Sequence, residues 1–527
     1  MSVPANLDAL WQDAAFAYRS GDLRRAQSGC ERILALDPLN SPARLMAANL
    51  ATQAGRHRLA VEHVLAATQR IGRQTLQHVA ELALKLITVG EYETAATLVR
   101  KINPAAINAP GSLAEFSQQL SLLEQHDDAL RYLDAAMSRG LDGDWVHYVH
   151  GNYLRFVGRM EQAAAAYERS IARNPDYALA HQSLATLDPG GDRELRINRI
   201  RASLARVPAD FRDIAYLHYA LFKELDALGD VDAAWDALAA GAREKKRVVV
   251  HDRDDERALF QALQSATGSG YLHDDGNHDD GPTPLFVLGM PRTGTTLLER
   301  ILGGHPGIAL CGELNDFRMQ YKWASDHYCL GFFDHEAVRA LDRVDYAAIG
   351  RRYQSHVAWR LDGARWFTDK NPGNFMMAGP ILRALPRARI IHLRRNPMDS
   401  CFSNLKELFG SNAHPYSYDF ADLDAHFRSY RGLMSHWHAI APGRILDLDY
   451  EAMVSDPDQA ARAVLDYCGL DYRPEQIRVE DHVAPVSTAS SAQVRQPIHR
   501  RNIGGWKRYQ RQLAPLQAML RDGGVDA

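Results

Sequence analysis

The residues best placed to do chemistry in this chain are those that can hold anions. Gly289-Met-Pro-Arg292-Thr293-Gly294-Thr295-Thr296 has the spacing of the nucleotide-phosphate loop G-x-x-x-x-G-K-[ST], with Thr295 in the lysine position. That lysine reaches the β- and γ-phosphates of a nucleoside triphosphate, so without it the loop reads as a phosphate cradle poorly equipped for ATP. Its backbone N–H groups and the positive end of the helix that follows converge on residues 292–296. Arg292 adds a planar donor able to grip two oxygens at once. A second basic group, Arg394-Arg395, ends the apolar run Arg389-Ile-Ile-His-Leu, and Ser403 follows Arg395 by eight residues. A magnesium–triphosphate site needs an acid at such a strand end. Two arginines there, with a hydroxyl on the next helix, imply instead a ligand with two separate phosphates and no metal ion.

These groups need elements to position them. Leu285-Phe-Val-Leu is a short apolar run ended by Gly289 and Pro291, as expected of a parallel strand covered on both faces. Leu298, Ile301 and Leu302 share one face of a helix that starts at Thr295 and stops at Gly303-Gly304. Gly307 to Cys311 is a short strand-like run, and Ile445 to Leu448 reads as a further strand. Asn396-Pro397-Met-Asp399 has the cap, the first-turn proline and the first-turn acid of a helix start, and the helix is expected over 397–409. Strand–loop–helix units in series predict an α/β domain with a parallel sheet.

The first half is built differently. Ala26, Ala60, Ala95, Ala129 and Ala163 are spaced by 34, 35, 34 and 34 residues. Gly21, Gly55, Gly90 and Gly158 sit five residues before four of them, and Glu124 takes the glycine position in the fourth unit. A 34-residue period with small residues where helices cross is the tetratricopeptide signature. Glycine ends the first helix and turns the chain, and alanine lets the second helix pack closely on the first. Tyr216 to Ala242 gives one more such pair, around Gly229 and Ala234. The expected organisation is an all-α repeat superhelix over 1–262, a linker over 263–283 and the α/β domain over 284–527. His273, Asp274, Asp275, His278, Asp279 and Asp280 read as solvated linker charge rather than as metal ligands. A repeat array offers either a concave surface for a peptide or protein, or a rigid spacer.

Pro-Arg-Thr-Gly-Thr-Thr, Cys311-Gly-Glu313 and Arg395-Asn-Pro-x-Asp-Ser-x-x-Ser403 together resemble the sulfotransferase family over roughly residues 284–510. The flavour is that of its tyrosylprotein and carbohydrate branch, here fused to tetratricopeptide repeats. The resemblance implies a P-loop-like fold and the donor 3′-phosphoadenosine 5′-phosphosulfate, which has two separated phosphates. It maps the 5′-phosphosulfate loop onto Arg292, Thr293, Gly294, Thr295 and Thr296, the 3′-phosphate contacts onto Arg395 and Ser403, and a donor-binding tyrosine onto Tyr450. A segment closing over the adenosine and its 3′-phosphate maps onto Ser490-Ser491-Ala-Gln493-Val-Arg495 and Arg500-Arg501-Asn-Ile-Gly504-Gly505-Trp506, which adds Ser491, Arg500 and Arg501.

Transfer to a hydroxyl needs a base and cations near the leaving oxygen. A sulfuryl group carries less negative charge than a phosphoryl group, so a lysine and an arginine can replace magnesium. By resemblance Glu313 is the base, while Lys370, in Thr368-Asp-Lys-Asn-Pro, and Arg292 stabilise the leaving side. The tyrosylprotein pattern has two adjacent glutamates, whereas here Leu314 follows Glu313. The implied activity is metal-free, in-line sulfuryl transfer to a hydroxyl. A peptide or protein tyrosine is among the acceptors, and the repeats would dock it. The alternative is a repeat-based interaction protein whose nucleotide-binding domain is not catalytic. The aromatic-rich stretches Phe317 to Gly363 and Phe409 to Ser435 are expected to line the acceptor pocket.

Composition sets the frame. A chain of 527 residues is too long for one core, and 46% hydrophobic with 24% charged residues is ordinary for a globular protein. A net charge of -4 gives no reason to expect nucleic acid, although residues 284–527 carry 30 Lys+Arg against 27 Asp+Glu. Five cysteines without a C-x-x-C pair suggest neither a disulfide framework nor a zinc site. The first residues lack the features of a signal peptide and no apolar run is long enough to span a membrane, so a cytoplasmic setting is expected.

Overall fold

The computed structural model of the chain describes residues 6–71, 74–273, 281–410, 412–479 and 497–525. Packing divides them into two compact units. One comprises the residues up to Leu141 together with Asn315–Trp359, and the other comprises Asp142–Asp274, Asp280–Leu314 and Arg360–Ala527.

In the first unit, helices come in pairs: Asn6–Arg19 with Leu23–Leu36, Ser41–Gln53 with His57–Thr68, Leu76–Val89 with Tyr92–Arg100, and Pro110–Leu122 with His126–Ser138. Ala26, Ala60, Ala95 and Ala129 are fully buried, because a larger side chain at the crossing would hold the helices of each pair apart. The turns run through the left-handed backbone region, with φ of 81° at Gly21, 73° at Gly55 and 89° at Gly90, and Glu124 adopts the same turn at φ 60° despite its side chain. Residues 315–359 add three α-helices to this unit, Asp316–Ser325, the short His335–Arg339 and Tyr346–Val357. The Arg58 N–H donates to Asp326 Oδ1 at 2.8 Å. The Arg58 and Arg352 guanidinium groups lie 4.7 and 3.9 Å from the Trp323 ring. The aromatic side chains of this segment pack on one another, Phe317 on Tyr353 at 5.6 Å and Tyr321 on Phe333 at 5.2 Å. All four are buried, as core of this unit.

The second unit opens with the pair Asp144–Phe156 and Met160–Arg173, and includes Ile214–Leu228 with Val231–Val248. Its sheet has five parallel strands: β1 (Thr283–Gly289), β2 (Ile308–Ala309), β3 (Trp366–Lys370), β4 (Arg389–Arg394) and β5 (Ile445–Asp449), in the order β2-β3-β1-β4-β5. β1 is buried along its whole length. The register sets Val287 beside Lys370, Gly289 beside Leu393 and Arg394 beside Asp449. The candidate site residues therefore collect at the carboxyl ends of the strands, where the order reverses around β1 and open α/β sheets bind their ligands. Leu285, Val287, Ile391 and Leu393 form one face of the sheet and pack with Leu298, Ile301 and Leu302 of the helix Thr295–Gly303, here the loop helix.

The helix after β4 is shorter than expected. It spans Pro397–Leu405 and does not reach residue 409. The Phe409 N–H is taken by the Tyr418 hydroxyl at 2.9 Å, where helix continuation would give it to Leu405. All five cysteines are buried free thiols. Among the described residues no helix is long and apolar enough to cross a membrane.

Candidate functional site

The phosphate loop is shaped by close approach. A Cβ at Gly289 would lie 2.5 Å from the Leu393 carbonyl oxygen, and one at Gly294, whose φ is 102°, would lie 2.6 Å from Tyr450 Cδ2. Only glycine fits either position. Arg292 takes φ 68°, a left-handed conformation that costs a non-glycine residue about 1–2 kcal/mol. The bend is held by the Thr293 hydroxyl, which donates to the Met290 carbonyl at 2.7 Å, and by Asn404 Nδ2, which donates to the Pro291 carbonyl at 2.9 Å. Thr295 and Thr296 are buried in the first turn of the loop helix.

Arg395 joins the second anion group to the loop. It donates to the Arg292 carbonyl at 2.9 Å and to the Asn502 carbonyl at 2.6 Å, and lies 4.6 Å from the centre of the Tyr450 ring. Its Nε is buried with no hydrogen-bond partner. Burial pulls this guanidinium below its ordinary pKa, and nearby Arg292 adds to the effect. Ser403 is buried on the helix Pro397–Leu405. At the start of that helix Asp399 accepts the Gly504 N–H at 2.7 Å and the Trp506 N–H at 3.1 Å, docking the segment that contains Asn502. Arg292, Arg395, Tyr450 and this segment thus belong to one neighbourhood. Arg500 and Arg501 are exposed, and Arg500 donates to the Ser455 carbonyl. Ser491, with Ser490, Gln493 and Arg495, lies outside the described residues.

Glu313 and Lys370 meet directly. Lys370, at the end of β3, has no exposed side-chain surface, and its Nζ donates to Glu313 Oε1 at 2.7 Å, while Glu313 remains 44% exposed. The backbone around them is clamped by Glu299 of the loop helix, a residue the motifs do not include. One Glu299 oxygen accepts both the Gly312 N–H at 3.0 Å and the Thr368 hydroxyl at 2.8 Å. Its sequence signal is a lone acid between Leu298 and Ile301 on an otherwise apolar helix face. Lys406 is a second such residue. Burial pushes its ammonium down to about 8, and Lys223, Arg292 and Arg395 press the same way. Its signal is scarcity, since residues 284–527 hold only four lysines against 26 arginines. Glu407 places a carboxylate oxygen 3.8 Å from Arg292 Nη2.

Residues 284–474 match the family model described as the sulfotransferase family. An uncharacterized protein of Aquifex aeolicus is 28% identical over 70% of this chain and 49% of its own length. Protein-tyrosine sulfotransferase 2 of Gallus gallus is 22% identical over 42% of this chain and 62% of its own. The chain thus spans about half to three-fifths of the length of these two relatives. Among solved structures, the sulfotransferase domain of the Synechococcus PCC 7002 olefin synthase is 20% identical, covering 48% of this chain and 99% of that one with a TM-score of 0.33. Residues 284–474 are thus similar to the sulfotransferase family, and the residues before them form an all-helical array of paired helices.

Proposed function

We propose that this chain moves a sulfuryl group from 3′-phosphoadenosine 5′-phosphosulfate to a hydroxyl acceptor. The observation that carries the reading is the buried Lys370 Nζ held 2.7 Å from the Glu313 carboxylate, on the strand next to the one that delivers the phosphate loop. The donor suits the residues that would hold it. The loop is drawn so tight that a Cβ at Gly294 would strike Tyr450, which leaves its backbone N–H groups for the 5′-phosphosulfate. The buried, unpartnered Nε of Arg395 offers a donor to the 3′-phosphate beside Ser403.

When bound, the donor supplies an activated sulfuryl group whose leaving group is a phosphate oxygen. Glu313 takes the acceptor's proton as the acceptor oxygen bonds to sulfur. Arg292 and Lys370 balance the charge left on the phosphate oxygen as its bond to sulfur breaks. Similarity to a protein-tyrosine sulfotransferase supports a peptide or protein tyrosine as acceptor, with the helical repeats as its docking surface. The test is incubation of the full chain with donor labelled in the sulfuryl group and a panel of tyrosine peptides and glycans. Transfer to a panel member is expected. Absence of both transfer and donor binding would sink the proposal.

A further inference from the structure

β4, β5 and the long helix Phe420–Ile440 bring together His392, Asp447 and His438. The ligand atoms of these three side chains all lie within 4.8 Å of one another. His392 Nδ1 stands 2.7 Å and His438 Nε2 3.0 Å from the same oxygen, Asp447 Oδ1. From this geometry we infer that His392, His438 and Asp447 form a site for a divalent transition-metal ion of the zinc kind.

Two imidazoles and one carboxylate are a donor set that suits such ions. Bonds of about 2.0–2.2 Å to each donor put ligand atoms around one ion at separations close to those found here, so a small side-chain adjustment admits it. The surroundings fit the role. His392 is buried and pairs through its other ring nitrogen, Nε2, with the Tyr430 hydroxyl, the kind of outer contact that fixes the ring of a metal-bound histidine. The second Asp447 oxygen is occupied by Arg394 Nη1 at 3.1 Å, which leaves Oδ1 as a single ligand. Asp447 and His438 are about one-third exposed, so an ion has a path in and water can complete its shell. Alternation along β4 sets His392 on the sheet face opposite Ile391 and Leu393, which pack with the loop helix. The ion would therefore act as a clasp between two strands and a helix, held by residues other than those proposed to transfer the sulfuryl group.

The test is calorimetric titration of zinc chloride into the chelator-treated full chain, with circular dichroism to establish that each variant is folded. One zinc ion per chain is expected at this site. Binding should weaken at least about tenfold in His438→Ala and Asp447→Asn, and about 10–100-fold in Tyr430→Phe. It should be unchanged in His436→Ala, a histidine of the same helix that instead bonds Thr267. A wild-type chain that takes up no more zinc than His438→Ala, or an equal loss in His436→Ala, overturns the inference. Cobalt(II) added to the wild-type chain gives a readout independent of any variant. The visible bands of a nitrogen–oxygen site are expected, and their absence also overturns it.

Discussion

The Glu299 carboxylate accepts the Thr368 hydroxyl at 2.8 Å across the gap between the loop helix and β3. The same oxygen takes the Gly312 N–H at 3.0 Å, the Thr368 hydroxyl oxygen takes the Cys311 N–H at 3.1 Å, and the Lys370 N–H donates to the Gly312 carbonyl at 2.9 Å. One buried oxygen thus ties the helix behind the phosphate loop to the strand ending in Lys370 and to the turn that presents Glu313. Burial raises the pKa of this carboxyl, while Lys370 and the two hydrogen bonds oppose the rise.

Glu299→Ala strands two buried donors and is expected to lose about 1–3 kcal/mol of stability per unsatisfied group. It should also lower kcat by loosening Glu313, with donor Kd little changed. Glu299→Gln keeps an acceptor oxygen in place and should recover most of the activity. Steady-state kinetics beside donor calorimetry checks this, and an inactive but well-folded Gln variant would show that the charge matters more than the clamp.

Glu313→Gln is expected to reduce kcat by about 10²–10⁴-fold, the usual yield of general-base catalysis, while donor affinity stays near that of the wild type. An unchanged kcat would instead favour a domain that binds nucleotide without catalysis.

Arg395→Ala is expected to weaken donor binding by about 1.5–3 kcal/mol, the scale of hydrogen bonds to a charged group. It also removes the link to the Arg292 and Asn502 carbonyls. Calorimetry with the desulfonated nucleotide measures the change, and an unaltered Kd would refute the assignment.

Donor affinity should depend on pH through Lys406, whose ammonium burial holds down at about 8. An anion beside it favours the charged form, so the donor-bound protein holds the proton more tightly than the free protein. Affinity is therefore retained below pH 8 and falls as pH rises above it, with proton uptake on binding. Lys406→Met should flatten this profile, and titrations in buffers of different ionisation enthalpy would reveal any uptake that persists.

In the first unit, Glu124→Gly should relieve the left-handed backbone at φ 60° and stabilise by about 1 kcal/mol. In the second unit, Gly158→Ala, at φ 86°, should act in the opposite direction. Denaturant midpoints of the two variants test the sign.

Much of this architecture can be read along the chain because short-range physics writes it there. The alanine period marks the helix crossings, and the glycines five residues earlier mark the turns, so even the Glu124 exception points to its backbone conformation. Gly289 to Thr296 declares an anion loop because tight turns and exposed N–H groups need those residue types. Asn396-Pro397 declares the next helix start, and the Asn396 side chain does accept the Asp399 N–H at 3.1 Å.

Other relationships are settled only when distant segments pack. Glu313 and Lys370 are 57 positions apart, and each alone is an ordinary charged residue. Their ion pair exists because β3 lies beside β1 in a fixed register and Glu299 holds the intervening turn. Residues 315–359 sit between the site motifs in sequence, and Phe317, Tyr321, Phe333, Tyr346 and Tyr353 among them are buried in the first compact unit. Sequence alone determines the helix pairs, the strands and the loop, because sterics and local hydrogen bonds act over a few residues. Which charged groups meet, and where the large rings go, is decided by the burial of apolar surface between elements far apart in the chain, a choice no local pattern records.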